Sequence, residues 1–93
     1  MNKKDYNVIV ITVTTQEEIE VHKNCNGVTV RNLGNTNVFI NGIRLLPAPG
    51  IGLCGESVEF SGNEDEFYRG RIQISFGAGV TPSAEITQKF YVN

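Results

Sequence analysis

The chain has 93 residues, enough for one domain but not for a second hydrophobic core. Hydrophobic residues make up 40% and charged residues 19%, which is ordinary for a globular fold and argues against general disorder. The formal net charge of −2 gives no long-range attraction to nucleic acid or to anionic membranes, so neither is predicted as a partner. The sequence has no stretch near the roughly 18 apolar residues of a membrane-spanning helix, and its N-terminal apolar run lacks the pattern of a signal peptide.

The first predicted element is a strand over residues 6–14, which read YNVIVITVT. Residues 1–5 are polar and are expected to form a flexible tail, so residues 6–93 make up the predicted domain. Successive side chains of a strand point to opposite faces, and here both faces are apolar and β-branched. We therefore expect this strand either to be central and covered on both sides, or to meet another subunit with one face.

The next segment is ambiguous between a helical turn and a strand. Residues 15–18 fit a capping box, but the alternation over residues 19–24 favours a turn that leads into a strand. Residues 24–27, Asn-Cys-Asn-Gly, are predicted to form a second turn, because asparagine and glycine tolerate left-handed backbone conformations.

Residues 27–46 contain three short alternating runs separated by two turns. Val28, Val30 and Asn32 share one face of the first run, and residues 34–36 turn the chain. The dipeptide Asn41-Gly42 then predicts a tight type I′ hairpin, since that turn needs a positive φ at both central residues.

The second half of the chain continues with period two. We expect a loop at residues 47–52, strands at 55–60, within 67–76 and at 84–92, and a loop at 77–83. In the last strand Gln88 interrupts an apolar face, which an edge position or a hydrogen-bonded polar inlay would explain. The side chains predicted to face inward are Val58, Phe60, Ile72, Ile74, Phe76, Ala84, Ile86, Phe90 and Val92, whereas Tyr91 is predicted to face outward.

Seven or eight short strands with turn signals every 8–12 residues are typical of an all-β sandwich. The sequence therefore predicts a single antiparallel β-sandwich, either immunoglobulin-like or a small jelly roll. The Trp and Cys pair of an antibody domain are missing.

The sequence offers few groups for chemistry, and we predict that the protein is not an enzyme and has no cofactor. His22 is the only histidine, and it shows no catalytic or zinc-site spacing with the two cysteines, which we expect to be reduced. The carboxylates Glu56, Glu59 and Glu85 do not indicate a glycosidase site. A weak metal candidate is the acidic run Asn63, Glu64, Asp65 and Glu66, for which a solvated turn tip is the favoured interpretation.

The pattern VTVRNLGNTNVFINGIRLLPAPG…GESVEF in residues 28–60, with the later RIQISFGAG and QKFYV, resembles small virion-associated proteins of tailed bacteriophages. The resemblance implies a β-sandwich without catalytic residues, present in many copies, that decorates or cements a capsid or lies in a tail or fibre. Its implied partners are capsid or tail proteins and further copies of itself, and its implied location is the virion after synthesis in a host cytoplasm. Residues 6–14 lie outside the matched pattern.

The predicted function is therefore that of a structural protein of a phage particle acting through protein–protein contacts. The candidate interface residues are Val8, Ile9, Val10, Ile11, Val13, Tyr68 and Tyr91. The alternative is a carbohydrate- or surface-binding module, for which Tyr68, Tyr91 and Phe67 are the aromatic candidates. A third possibility, a minimal cupin-like enzyme, lacks the histidines that would bind its metal.

Overall fold

The structure, a computed structural model, describes residues 6–50, 53–61, 68, 70–79 and 81–92. The described residues form eight strands, and they include no helix long and apolar enough to cross a membrane. The strands are β1 (Tyr6–Val13), β2 (Glu17–Ile19), β3 (Cys25–Asn32), β4 (Val38–Ile40), β5 (Ile43–Leu45), β6 (Ser57–Ser61), β7 (Ile72–Phe76) and β8 (Ala84–Tyr91). The all-β fold that the alternation predicts is confirmed.

Strand pairing is nested: β1 pairs with β8, β2 with β7, β3 with β6 and β4 with β5, all antiparallel. The result is two four-stranded sheets, a first sheet in the order β1-β8-β3-β6 and a second sheet in the order β2-β7-β4-β5. This order is that of one long hairpin rolled up on itself, which is the jelly-roll arrangement and differs from the strand order of an immunoglobulin sandwich. Of the two sandwiches that the sequence predicts, the jelly roll is the one observed.

The core lies between the two sheets and consists of the apolar side chains that alternation directs inward. Val28 and Val30 of β3 and Ile72 and Ile74 of β7 are fully or almost fully buried. The other buried apolar side chains of this cluster are Val13, Ile19, Cys25, Val38, Ile40, Leu45, Ala84 and Ile86, with Val58, Phe60 and Phe76 packed against them. The period-two alternation of apolar residues in the sequence therefore predicted most of the core correctly.

The two sheets differ in length. Strands β1, β3 and β8 of the first sheet have eight residues each, whereas the strands of the second sheet have three to five. At about 3.4 Å per residue, the long strands span roughly 27 Å and the short ones roughly 10–17 Å. The strands of the second sheet therefore cannot cover the whole inner face of the first.

The segment before β3 differs from its prediction. No helical turn forms at residues 15–18: β2 begins at Glu17 and ends at Ile19, so the strand predicted for residues 19–24 is wrong in its position. The reason is the side chain of Gln88, which accepts a hydrogen bond from the backbone N–H of His22 (2.7 Å) and donates one to the carbonyl of Glu20 (3.0 Å). The backbone of this segment is thus satisfied by a side chain, and the polar-inlay interpretation of Gln88 is confirmed.

The turn predicted at residues 24–27 occurs two residues earlier. The backbone N–H of Cys25 donates to the carbonyl of His22 (2.9 Å), which closes a turn over residues 22–25, and β3 starts at Cys25. The pairing of β3 with β8 shifts between Cys25 and Gly27, which is the signature of a β-bulge. Asn26 and Gly27 thus lie at the bulge, whereas Asn24 lies in the turn.

The end of β8 also differs from its prediction. Tyr91, predicted to face outward, is only 1% exposed, whereas Val92 is exposed and Phe90 is half-buried with its ring stacked on His22 (4.2 Å between centroids). The ring of Tyr6 lies against Tyr91 with 5.0 Å between centroids. Aromatic stacking at this end of the sheet therefore buries a side chain that alternation alone assigns to solvent.

The hairpin predicted at Asn41-Gly42 is confirmed. Asn41 has φ 48° and Gly42 has φ 86°, the two positive values that a type I′ turn needs, and β4 pairs with β5 on either side. The side chain of Asn41 also donates to the carbonyl of Arg71 (2.6 Å) and accepts from the backbone N–H of Gln73 (2.8 Å). The turn is thereby joined to the start of β7.

Replacing Asn41 with alanine is expected to lower the free energy of unfolding by about 2 kcal/mol, because it removes two hydrogen bonds and places a less tolerant residue at positive φ. Urea unfolding followed by circular dichroism measures this change. Thr14→Ala, in an exposed position outside β1, is the matched control and should change stability by less than about 0.5 kcal/mol. Equal effects of the two substitutions would contradict the role assigned to Asn41.

Candidate functional site

Strand β1 is the longest edge strand among the described residues. It is the first strand of the order β1-β8-β3-β6, and the pairing described for it is with β8 alone. The other edge strands are shorter, with five residues in β6 and three each in β2 and β5. Of the two predicted arrangements, the central strand covered on both sides is therefore wrong, and the backbone groups on the outer side of β1 face away from the sheet.

The side chains of β1 leave apolar surface on both faces. On the outer face Val8 and Val10 are 56% and 57% exposed, and on the inner face Ile9 and Ile11 are each 38% exposed. Val13, at the end of the strand, is buried in the core. Four of the five β1 residues predicted for an interface are therefore accessible, two on each face, and together they form the β1 row; the fifth, Val13, anchors the strand.

The strand is held firmly on its paired side. Its register with β8 runs without interruption from Tyr6 opposite Tyr91 to Val13 opposite Ala84. At the first end, the ring of Tyr6 packs on Tyr91, and the Nζ of Lys89 lies 4.0 Å from the centroid of the Tyr6 ring. A cation over an aromatic face is a favourable contact. The open edge therefore belongs to a strand that is paired along its whole length on the other side.

The features that natural proteins use to protect an edge are missing from β1. Its sequence, YNVIVITV, contains no proline and no charged residue, and its register shows no bulge. A β-branched, uncharged segment of this length has a strong tendency to pair with another strand. Such an edge can bind a partner by adding a strand to the sheet, with backbone hydrogen bonds supplying affinity.

Neither of the two tyrosines predicted for the interface is part of the exposed surface of β1. Tyr91 is buried beneath Tyr6 and is not available to a partner as a surface residue. Tyr68 is half-buried, its backbone N–H donates to the carbonyl of Cys25 (2.6 Å), and its ring is 6.2 Å from that of Phe60 in β6. Because β6 and β1 lie at opposite edges of the first sheet, the structure does not bring Tyr68 together with the β1 row.

The predicted acidic metal candidate, residues 63–66, lies outside the described residues. Within the part of the chain that the structure describes, no group of three or more His, Cys, Asp or Glu side chains could hold a metal ion.

A surface hollow of about 510 Å³ gathers several ionisable side chains. They are Glu18, Glu20, His22, Tyr68 and Arg71. Arg71 and Glu18 form an ion pair (3.1 Å) between exposed side chains, a kind of contact that contributes little to stability. The Nδ1 atom of His22 accepts a hydrogen bond from the backbone N–H of Asn24 (3.0 Å). That bond, together with the stacking on Phe90, gives His22 a structural role in the turn before β3.

The two cysteines are not joined by a disulfide and differ in environment. Cys25 is buried and its Sγ donates to the carbonyl of Gly27 (3.2 Å), whereas Cys54 is exposed. Burial raises the pKa of the Cys25 thiol, and a backbone hydrogen bond with Gly27 only partly offsets this effect. Since the thiolate is the reactive form, we expect Cys25 to react slowly in the folded protein.

We expect Ellman's reagent at pH 8 to modify one thiol per folded chain rapidly and the second only after denaturation. The Cys54→Ser variant should lose the rapid phase entirely, and Cys25→Ala should keep it. Two thiols that react at the same rate in the native protein would show that Cys25 is accessible.

Sequence reasoning found the apolar row of β1 but missed the residues that support it. Tyr6, Lys89 and Glu85 border the row on the neighbouring strand or at its start, and only the register of β1 with β8 reveals this. Comparisons of the chain with protein-family models, with curated proteins and with solved structures found no match.

Proposed function

We propose that this chain is a non-enzymatic structural protein of a phage particle, a capsid decoration or cement protein or a head- or tail-associated one, that acts through protein–protein contacts. The observation that carries the proposal is the long, uncharged and apolar β1 edge on an otherwise well-packed jelly roll. An exposed strand of this kind favours aggregation in an isolated protein. In an assembly the same strand can bind a partner, which covers it.

The fold alone does not choose the function, because jelly rolls include viral capsid domains, lectins and cupins. The thin stability margin of a small domain adds support for assembly. A chain of about this size buries only some 60–65% of the surface that its unfolded form exposes, so binding to a partner stabilises the folded state appreciably. The uncovered edge and the small core therefore favour the same kind of role.

The carbohydrate-binding alternative receives less support. It depends on a row of exposed aromatic side chains, and Tyr91 is buried while Tyr68 is half-buried. Phe67, the third candidate, lies outside the described residues. Exposed aliphatic side chains on a strand edge suit a protein partner better than a sugar ring.

The test is quantitative mass spectrometry of gradient-purified virions of the phage that encodes the chain. We expect the chain at a fixed copy number relative to the major capsid or tail protein, and we expect a non-structural protein from the same lysate to be absent. A chain that is missing from purified particles, or that binds an immobilised glycan instead, would overturn the proposal.

A further inference from the structure

We propose that β1 pairs antiparallel with β1 of a second copy of the chain, about a twofold axis that passes beside Val10. The pairing joins two four-stranded sheets into one continuous eight-stranded sheet. This inference rests on the proposed assembly role, since it names the partner of the same edge.

Symmetry restricts how two copies of β1 can pair. A twofold axis perpendicular to the sheet keeps the inner face of one copy continuous with the inner face of the other. A shift of one residue would turn the whole apolar set to the wrong face, so the allowed registers differ by steps of two. Only registers centred on Ile9 or Val10 keep seven of the eight residues of β1 paired, whereas those centred on Val8 or Ile11 keep five.

The register centred on Val10 pairs β-branched side chains throughout the middle of the strand. Val10 lies opposite its own copy, Ile9 lies opposite Ile11, and Val8 lies opposite Thr12. The two Ile9–Ile11 pairs cover side chains that are 38% exposed on the inner face of the single chain. Cross-strand pairs of this type are the main source of stability in a sheet.

The charges on the neighbouring strand are compatible with the same register, with the paired charges three strand spacings, about 14 Å, apart. On the outer face, Lys89 of β8 lies opposite Val8 and Glu85 lies opposite Thr12. Pairing Val8 with Thr12 of the second copy therefore places Lys89 of one copy in the same cross-strand row as Glu85 of the other, twice. A shift of two residues in one direction replaces Glu85 with Thr87 in that row, and in the other direction it moves Val8 opposite Thr14, beyond the end of β1.

The edge is thus complementary to itself. Its apolar side chains pair on both faces, and Lys89 of each copy lies in the same cross-strand row as Glu85 of the other. A parallel arrangement about a twofold axis would instead join the inner face of one copy to the outer face of the other, so the apolar faces would not be continuous. A second copy of this chain therefore fits the edge in shape, polarity and charge.

The first experiment measures the oligomeric state of the full chain by analytical ultracentrifugation from about 1 to 200 μM. We expect a concentration-dependent dimer, and Val10→Lys should raise its dissociation constant at least about tenfold because it places two lysines opposite each other on the axis. The matched control is Leu53→Lys, at a side chain that is 60% exposed in a loop, which should leave the constant unchanged. Circular dichroism of both variants verifies that they fold.

The second experiment tests the register by cross-linking in a Cys54→Ser background with a short bis-maleimide. Val10→Cys should cross-link with itself, whereas Val8→Cys and Thr12→Cys should give efficient dimers only when the two variants are mixed. Self-linking of Val8→Cys as efficient as that of Val10→Cys would overturn the proposed register.

A wild-type chain that remains monomeric at 200 μM, or a dimer that Val10→Lys does not weaken, overturns the self-pairing. Such a chain found at fixed copy number in virions would leave the proposed function in place and assign the edge to a different virion protein. Failure of the inference and failure of the proposed function are therefore distinguishable.

Discussion

Replacing Asn32 with alanine is expected to lower the free energy of unfolding by about 3 kcal/mol, the effect of leaving several buried backbone groups without partners. Asn32 is the last residue of β3 and its side chain is buried. Urea unfolding of the variant, followed by circular dichroism at fixed protein concentration, measures the loss.

The physical reason is the number of bonds that one side chain makes. The Nδ2 atom of Asn32 donates to the carbonyls of Thr36 (2.7 Å) and Leu45 (2.9 Å), and its Oδ1 accepts from the backbone N–H of Gly34 (3.0 Å). Leu45 ends β5 of the second sheet, so the amide connects the two sheets as well as the loop between β3 and β4. Alanine would leave the two carbonyls without this donor in a site that admits little water, whereas the N–H of Gly34 also donates to the carbonyl of Ser83 (3.1 Å) and keeps that bond.

The matched control is Asn35→Ala in the same loop. Asn35 is exposed, and its Oδ1 accepts a bond from the backbone N–H of Thr81 (3.1 Å), so its removal should cost less than about 1 kcal/mol. Asn32→Asp keeps the shape but replaces the amide donor with an acceptor facing two carbonyls, and it should destabilise at least as much as alanine. A variant Asn32→Ala as stable as Asn35→Ala would show that the junction is not held by this side chain.

Local turn chemistry and alternation explain how much of this fold the sequence predicts. The side chain of Asn32 bonds the N–H two residues ahead, which is the Asx turn that an Asn-x-Gly sequence favours. Asn41-Gly42 likewise determines its hairpin through φ values that few other residues adopt. These turns depend on residues that are adjacent in the chain, so they can be predicted from the sequence.

The errors come from contacts between residues far apart in the chain. The side-chain amide of Gln88 makes hydrogen bonds to backbone groups of Glu20 and His22, more than sixty positions away. Because these backbone groups do not need a partner strand, no strand forms at residues 20–24. The bulge between Cys25 and Gly27 depends on the pairing of β3 with β8. No local pattern contains these partners, so their effect on strand boundaries was not predictable.

The position of β1 follows from topology, and its composition does not suit that position. Nested pairing places the first strand beside the last one, β3 occupies the other side of β8, and no other described strand pairs with β1, which therefore lies at the edge of the sheet among the described residues. A solvent-exposed edge favours charged residues or proline, but β1 has neither. Conflicts between local sequence and global position are concentrated at functional sites. This conflict is the physical basis for the proposed assembly role of β1.

The buried Tyr91 of β8 packs against Tyr6 at the start of β1, so the stability of the fold and the position of the β1 edge both depend on it. Tyr91→Ala is expected to lower the free energy of unfolding by about 4 kcal/mol, the typical cost of removing a large aromatic side chain from a packed site. Small domains have total stabilities of about 5–15 kcal/mol, so the variant should be partly unfolded under mild conditions. Val92→Ala, at the exposed neighbouring position, is the matched control and should change stability by less than about 0.5 kcal/mol.

Amide hydrogen exchange distinguishes a variant that loses packing across the first sheet from one in which only the start of β1 is loosened. Tyr6→Ala removes the exposed partner of the stacked pair and should cost only about 1 kcal/mol, while increasing amide hydrogen exchange at the start of β1. Tyr91→Ala should increase exchange across β1, β8 and β3 together, because Tyr91 is buried at the end of β8, which pairs with both β1 and β3. A cost below about 1 kcal/mol for Tyr91→Ala would show that this side chain is on the surface. Only in that case could any loss of ligand or partner binding in the variant be attributed to a direct contact of Tyr91.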